Sequence, residues 1–268
     1  MDGQAYQYQY QPKPVPQEAN YFEQVAHQHH HNSRDESSEP LNAHVEEWTN
    51  EDRLNFIRKV YGILSTQLLV TALVCILPYM NTGIKHFMVT NFWLAIVASV
   101  IAMAISCVLV CMEGVARKVP TNYVLLFTFT LLEAYGVAFM CAVVNDGLIV
   151  LGAAFMTAGI VVALTLYAIF TKTDFTACGG VMAVVGGAFF VCSLLSLFFG
   201  PTFRLIIACI GVIVFGLYLI FDTQYIVGGQ HKKYTVSRED YILGAMILYI
   251  DIIQIFMYIL EIFMSSKE

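Results

Sequence analysis

The chain has 268 residues, 58% hydrophobic and 13% charged, with a formal net charge of −6 and a mean hydropathy of +0.66. Soluble domains carry about 25% charge, so a water-soluble single-core protein is excluded. A nucleic-acid binder is excluded too, because the balance is acidic and no basic stripe occurs. What remains is a polytopic, all-α membrane protein with a polar N-terminal tail, since residues 1–59 hold ten of the twenty acids and five of the fourteen bases.

Residues 1–48 read as a disordered cytoplasmic tail, containing AYQYQYQPKPVPQ, then HQHHH, then an acidic patch from Asp35 to Glu47. Pro12, Pro14 and Pro16 suit a short polyproline segment that docks an aromatic groove; a solvated tail without a partner is the plainer reading. His27, His29, His30 and His31 are metal-ligand types, but no scaffold fixes them. No secretory signal peptide precedes the tail, so the first span is expected to direct insertion. The membrane domain, 49–268, opens at Thr49-Asn50-Glu51-Asp52, a helix cap with an acid three residues on.

A helix needs roughly 20 mostly apolar residues to cross the hydrocarbon core. Seven stretches qualify: Val60–Met80, Phe92–Met112, Tyr123–Val144, Leu148–Phe170, Cys178–Phe199, Leu205–Val227 and Tyr241–Phe263. Their uniform apolarity excludes a β-barrel, whose strands alternate, and backbone satisfaction in lipid makes them helices. A second cap, Ser237-Arg238-Glu239-Asp240, is expected to open the seventh. Because Asp251, Gln254 and Glu261 lie inside that stretch, six spans plus a re-entrant hairpin is the competing count. Gly179, Ala183, Gly186 and Gly187 give the fifth span a small-residue face for close helix packing. All seven cysteines fall within the spans and read as free, buried and structural. No internal repeat supports an inverted-repeat transporter.

Orientation follows the bases. With the N-terminus cytoplasmic, that side holds Arg53, Arg58, Lys59, Arg117, Lys118, Lys172, Lys232, Lys233 and Arg238, against Lys85, Arg204 and Lys267 opposite. Receptors coupled to G proteins run the other way. Retinal proteins need a lysine in a late span, and no span here has one.

The seven spans contain four charged side chains, Glu133, Asp222, Asp251 and Glu261, and no Lys, Arg or His. A charge in the bilayer costs several kcal/mol, so these acids must be protonated, reach water or bind a cation. Glu261, near its span's end, reaches the interface in the plainer reading. On the seventh span Gly244, Ile247, Asp251, Gln254, Tyr258 and Glu261 share one face; on the sixth, Gly211, Phe215, Tyr218, Asp222 and Tyr225 do. The two stripes can face each other, with Asp222 and Asp251 offset by about 7 Å in depth. Two carboxylates in contact do not both ionise easily, so they share a proton and titrate as a unit. Doubly ionised, they attract a divalent cation. The alternative is a protonated Asp that only packs. Glu133, mid-way along the third span, either lines the same pathway or donates as a neutral acid to a neighbouring helix.

An enzyme reading meets the same acids. Intramembrane aspartyl proteases also place one Asp in each of two adjacent spans. Their second belongs to Gly-x-Gly-Asp, whereas this chain has Leu248-Tyr249-Ile250-Asp251, and it lacks Pro-Ala-Leu. The Gly-x-Ser-Gly nucleophile of rhomboid-type proteases is also missing.

Five strings in order carry a family resemblance: FIRKVYGILSTQLLVT, FTLLEA, YAIFTKTDF, FDTQYIVGG and VSREDYILGAMILYIDIIQIF. From Phe56 onward the chain resembles the transmembrane Bax inhibitor motif family, most closely its Lifeguard branch. The resemblance implies seven transmembrane helices, six surrounding a central C-terminal helix. It also implies a pH-responsive pair of aspartates, here Asp222 and Asp251, that gates a calcium leak. A basic residue near the cytoplasmic end of the second helix partners the sensor in some members, and Arg117 is the nearest candidate. Suppressed apoptosis, lowered endoplasmic-reticulum calcium and residence in endoplasmic reticulum, Golgi or plasma membrane are implied as well. The chain ends SSKE, so a pH response resting on the basic C-terminal tail of other members is not expected.

The resulting expectation is a non-enzymatic, calcium-permeable leak channel gated at Asp222 and Asp251. These would bind calcium only transiently, and Glu133, Arg117, Gln254 and Glu261 would serve as pathway or counter-ion groups. No cofactor is expected beyond calcium as the permeant ion, and the partners would be the lipid bilayer and apoptosis regulators or other membrane proteins. An interaction protein without intrinsic flux, and a proton-coupled transporter, are the alternatives.

Overall fold

The computed structural model describes residues 50–196, 198–228, 237 and 239–266. The tail, with its proline and histidine runs and the Thr49 cap, lies outside them, as do Lys232, Lys233, Arg238 and Lys267. Seven helices are long and apolar enough to cross a bilayer. They are α1 (Asn50–Met80), α2 (Phe92–Cys111), α3 (Thr121–Val144), α4 (Gly147–Phe170), α5 (Gly179–Ser196), α6 (Pro201–Val227) and α7 (Tyr241–Ser265). The protein is therefore an integral, multi-pass membrane protein. Its outer surface is apolar, as lipid requires: Leu69, Trp93, Ile96, Phe127 and Phe155 all stand exposed.

Local chemistry sets the helix ends. Asn145 closes α3 in the left-handed conformation, φ 55°, which Asn tolerates. Asp146 then opens α4, its carboxylate accepting from Leu148 N at 3.0 Å and Ile149 N at 3.5 Å. Asn81 caps the short helix Thr82–Thr90 in the same way. Gly228, at φ 63°, ends α6.

The seventh segment is one unbroken helix of 25 residues, about 37 Å long at 1.5 Å per residue, so the re-entrant alternative is wrong. Its start also differs from expectation. The cap position is Asp240 rather than Ser237, and the Asp240 carboxylate makes no cap bond, because Arg117 occupies it.

α7 is the core: 61% of its apolar stretch is buried, against 11% for α4 and α5. It packs on α1, α2, α3, α4 and α6 and touches α5 where Phe189 and Tyr258 meet edge to face at 5.7 Å. Six helices thus surround the seventh.

Two other expectations need amending. On α5 only part of the small-residue face is used: Gly179 packs near Phe221 and Gly186 receives the Tyr218 hydroxyl, while Gly187 meets nothing. The seven cysteines are free, yet only Cys141 is buried; Cys107, Cys111, Cys178, Cys192 and Cys209 lie on the outer surface, where a small apolar thiol faces lipid at little cost.

Candidate functional site

Asp251 stands ten residues into α7 and is only 4% exposed. Asp222, half-buried, stands five residues before the end of α6. The two helices pack closely, and the two carboxyls come within hydrogen-bonding reach of each other. Tilt and side-chain reach have closed the depth offset. Oδ2 of Asp251 is enclosed and receives no N–H or O–H from the described residues. Two carboxyl oxygens satisfy one another only with a proton between them.

The neighbouring aromatics follow from the helical stripe on α6. Tyr218 lies within electrostatic range of both aspartates and donates to Met182 O of α5 at 2.6 Å. The α6 stripe is therefore shared: Gly211 and Phe215 face Tyr258 of α7, while Tyr218 turns to α5. Tyr225 stands between Asp222 and Asp240, within range of both.

Asp240, at the start of α7, holds an ion-pair cluster. Arg117, in the connector before α3, donates from Nε to Oδ1 at 2.8 Å and from Nη2 to Oδ2 at 3.0 Å. Glu113 and Glu239 flank the guanidinium at 3.2 and 3.7 Å. These carboxylates, Asp240 first, hold the Arg117 guanidinium above its ordinary range, so it stays charged at any physiological pH. Arg117 is thus engaged eleven residues before Asp251, about 16 Å along α7, rather than on the aspartate pair. The reason is geometric: an uncapped Asp240 offers both oxygens to the planar fork. Lys59, nine residues into α1, lies 4.6 Å over the Tyr241 ring beside it, so α1 meets the start of α7 here.

The remaining candidates lie elsewhere. Glu261 sits one turn from the far end of α7, within electrostatic range of Arg204 at the start of α6. Gln254 is half-buried on α7, three residues beyond Asp251. Glu133 is on α3, in range of Tyr249 rather than of the aspartates. Among the described residues no group of three His, Cys, Asp or Glu could hold a metal, so the aspartate pair stands without a third ligand of that kind.

Gln224 escaped the sequence reading, which took up neutral groups only where they share a face with an acid. Gln224 is 1% exposed; its Oε1 accepts from Phe175 N at 2.9 Å, and its Nε2 donates to Ala168 O and Thr173 O at 3.2 and 3.0 Å. One side chain thus ties the α4–α5 connector to α6. A Gln inside an apolar run was the available signal.

The family profile described as Inhibitor of apoptosis-promoting Bax1 matches residues 53–268. This chain belongs to the Bax inhibitor family. Within that family it is 32% identical over 223 residues to Protein lifeguard 3 of Homo sapiens, covering 81% of this chain and 70% of the relative. Protein lifeguard 3 of Mus musculus is 31% identical, with 81% and 71% covered. Bax inhibitor 1 of Schizosaccharomyces pombe is 32% identical, with 81% and 79% covered. The matched region takes in the whole helical bundle, including Asp222 and Asp251. Membership marks the chain as an anti-apoptotic type of membrane protein.

Proposed function

We propose that the chain is a non-enzymatic, calcium-permeable leak channel gated by protonation of Asp222 and Asp251, which lowers stored calcium and so restrains apoptosis. The N-terminus and the end carrying Arg117 face the cytoplasm, by the distribution of bases, and the membrane is that of endoplasmic reticulum, Golgi or plasma membrane. The observation that carries the reading is the enclosed acid–acid pair on the core helix. A packing role alone needs one hydrogen-bonded Asp, whereas two meeting acids make protonation and cation occupancy exclusive alternatives. Calcium takes six to eight oxygens and two carboxylates supply at most four. A calcium ion there keeps waters, which suits passage rather than storage.

The test is calcium flux into dye-loaded liposomes carrying purified protein between pH 5 and 8. The expected result is a leak that varies with pH in wild type and loses that variation in Asp251→Asn. No flux above empty liposomes at any pH would sink the reading and leave the interaction-protein alternative.

A further inference from the structure

Asp251 faces α6. Two residues earlier Tyr249, fully buried, leaves α7 toward α1 and α3, where a second polar cluster surrounds it. Its ring meets Phe129 edge to face at 5.9 Å. Its hydroxyl lies 2.8 Å from Thr71 Oγ1 and within electrostatic range of Glu133. Glu133 stands one turn beyond Thr130 on the same face of α3. Thr130 Oγ1 accepts from Gln67 Nε2 at 2.9 Å.

Counting hydrogens shows what this cluster can bind. Thr71 commits its hydroxyl hydrogen to Gln67 O at 2.9 Å, so at the Thr71–Tyr249 contact Tyr249 is the donor. Thr130 commits its own to Leu126 O at 2.8 Å, so it can only accept from Gln67. Every hydroxyl hydrogen is spent. What is left is one hydrogen on Gln67 Nε2 against the lone pairs of Tyr249 Oη, the Glu133 carboxyl and Gln67 Oε1. Gln67 is 4% exposed, and its Oε1 is buried with no partner, a costly state for a carbonyl. A cluster this rich in acceptors, with one half-buried carboxyl among them and a single amide hydrogen left to donate, suits a positive charge.

We propose that Gln67, Glu133 and Tyr249 form a binding site for a small hard cation of the calcium type, on the opposite flank of α7 from the aspartate pair. One carboxylate with neutral amide and hydroxyl oxygens is the donor set such cations take. Occupancy satisfies Gln67 Oε1 and neutralises Glu133 together. The binding stands by itself; its place as a second station on the calcium path rests on the leak reading above.

The test uses terbium(III), an oxygen-seeking calcium probe whose emission is sensitised by an adjacent tyrosine, titrated into the full chain in detergent at pH 7 with calcium as competitor. Wild type is expected to show an emitting, calcium-displaceable class that survives in Asp251→Asn. Glu133→Gln should weaken that class by about tenfold or more, since even outer groups around a metal are worth 10–100-fold. Gln67→Met, which keeps volume and removes the stranded oxygen, should weaken it severalfold and covers the case of a misfolded Glu133→Gln. Tyr249→Phe should lose the emission. A titration unchanged by Glu133→Gln, or by Gln67→Met where the former does not fold, overturns the site and leaves the leak reading intact. Glu133-dependent binding in a protein that carries no calcium into liposomes overturns the leak reading and leaves the site.

Discussion

Replacing Gly211 by Ala tests the α6–α7 seam on which the aspartate pair depends. A methyl on Gly211 would lie 2.6 to 2.8 Å from Cδ2, Cε2 and Cγ of Tyr258, whereas carbon atoms settle at about 3.5–4.0 Å. The Tyr258 ring has nowhere easy to go, because Phe189 and Phe215 stand against it with centroids 5.7 and 5.8 Å away. Overpacking of this kind costs about 1–3 kcal/mol, and the overlap places it toward the upper part of that range. Against it stands the helix preference for Ala over Gly, about 0.8–1.0 kcal/mol. The net expectation is a loss of about 1–2 kcal/mol. Gly159→Ala is the matched control, because nothing lies within 4 Å of its added methyl and only the propensity gain of about 1 kcal/mol remains. At about 2–4 °C per kcal/mol for a domain of this size, the two variants should melt about 5–10 °C apart, straddling wild type. Thermal unfolding of the purified proteins in one detergent, followed by loss of the monodisperse chromatographic peak, reads this directly. If Gly211→Ala melts with Gly159→Ala, Tyr258 does not fill the space over Gly211 and the packing argument is wrong.

Gln224→Leu removes three hydrogen bonds, to Phe175 N, Ala168 O and Thr173 O, a loss of about 2–4 kcal/mol. Trypsin should then cut faster after Lys172, and an unchanged cleavage rate would refute the tie. Tyr249→Phe keeps the ring contact with Phe129 and removes one hydrogen bond to Thr71. It should cost about 1 kcal/mol, seen as a melting point about 2–4 °C lower; no shift would mean that the bond is not made. For the ion pair at the start of α7, a double-mutant cycle of Arg117→Gln with Asp240→Asn should give a coupling of about 1–2 kcal/mol. The two side chains are 32% and 15% exposed, so the coupling should weaken with salt only modestly; additive single effects would refute the ion pair.

The spans were legible because lipid imposes one rule on every backbone group, and apolar length expresses it. Asp222 and Asp251 were legible by subtraction, as acids left without bases in the spans. Arg117 was not, since its partner depended on whether Asp240 would cap α7 or leave both oxygens free. The cluster around Tyr249 was invisible for a different reason. Gln67, Thr71, Thr130 and Tyr249 are each unremarkable in an apolar run, and their meaning comes from which hydroxyl hydrogens are already committed. Helical periodicity placed Tyr218 and Tyr258 on the right stripes, but one stripe on α6 serves two neighbours. Only packing decides that Tyr258 fills the gap at Gly211 while Tyr218 reaches Met182 on α5.

That the innermost helix is also the last of the seven to be synthesised shapes how the bundle is assembled. Until α7 arrives, α1 to α6 line a slot whose walls carry Gln67, Thr71, Thr130 and Asp222, polar groups that hydrocarbon does not solvate. α7 in turn carries Asp251, which is costly to insert alone into lipid and far less so into a slot that already holds a carboxyl and hydroxyls. The helix that closes the bundle is the one least able to stand in a membrane without it.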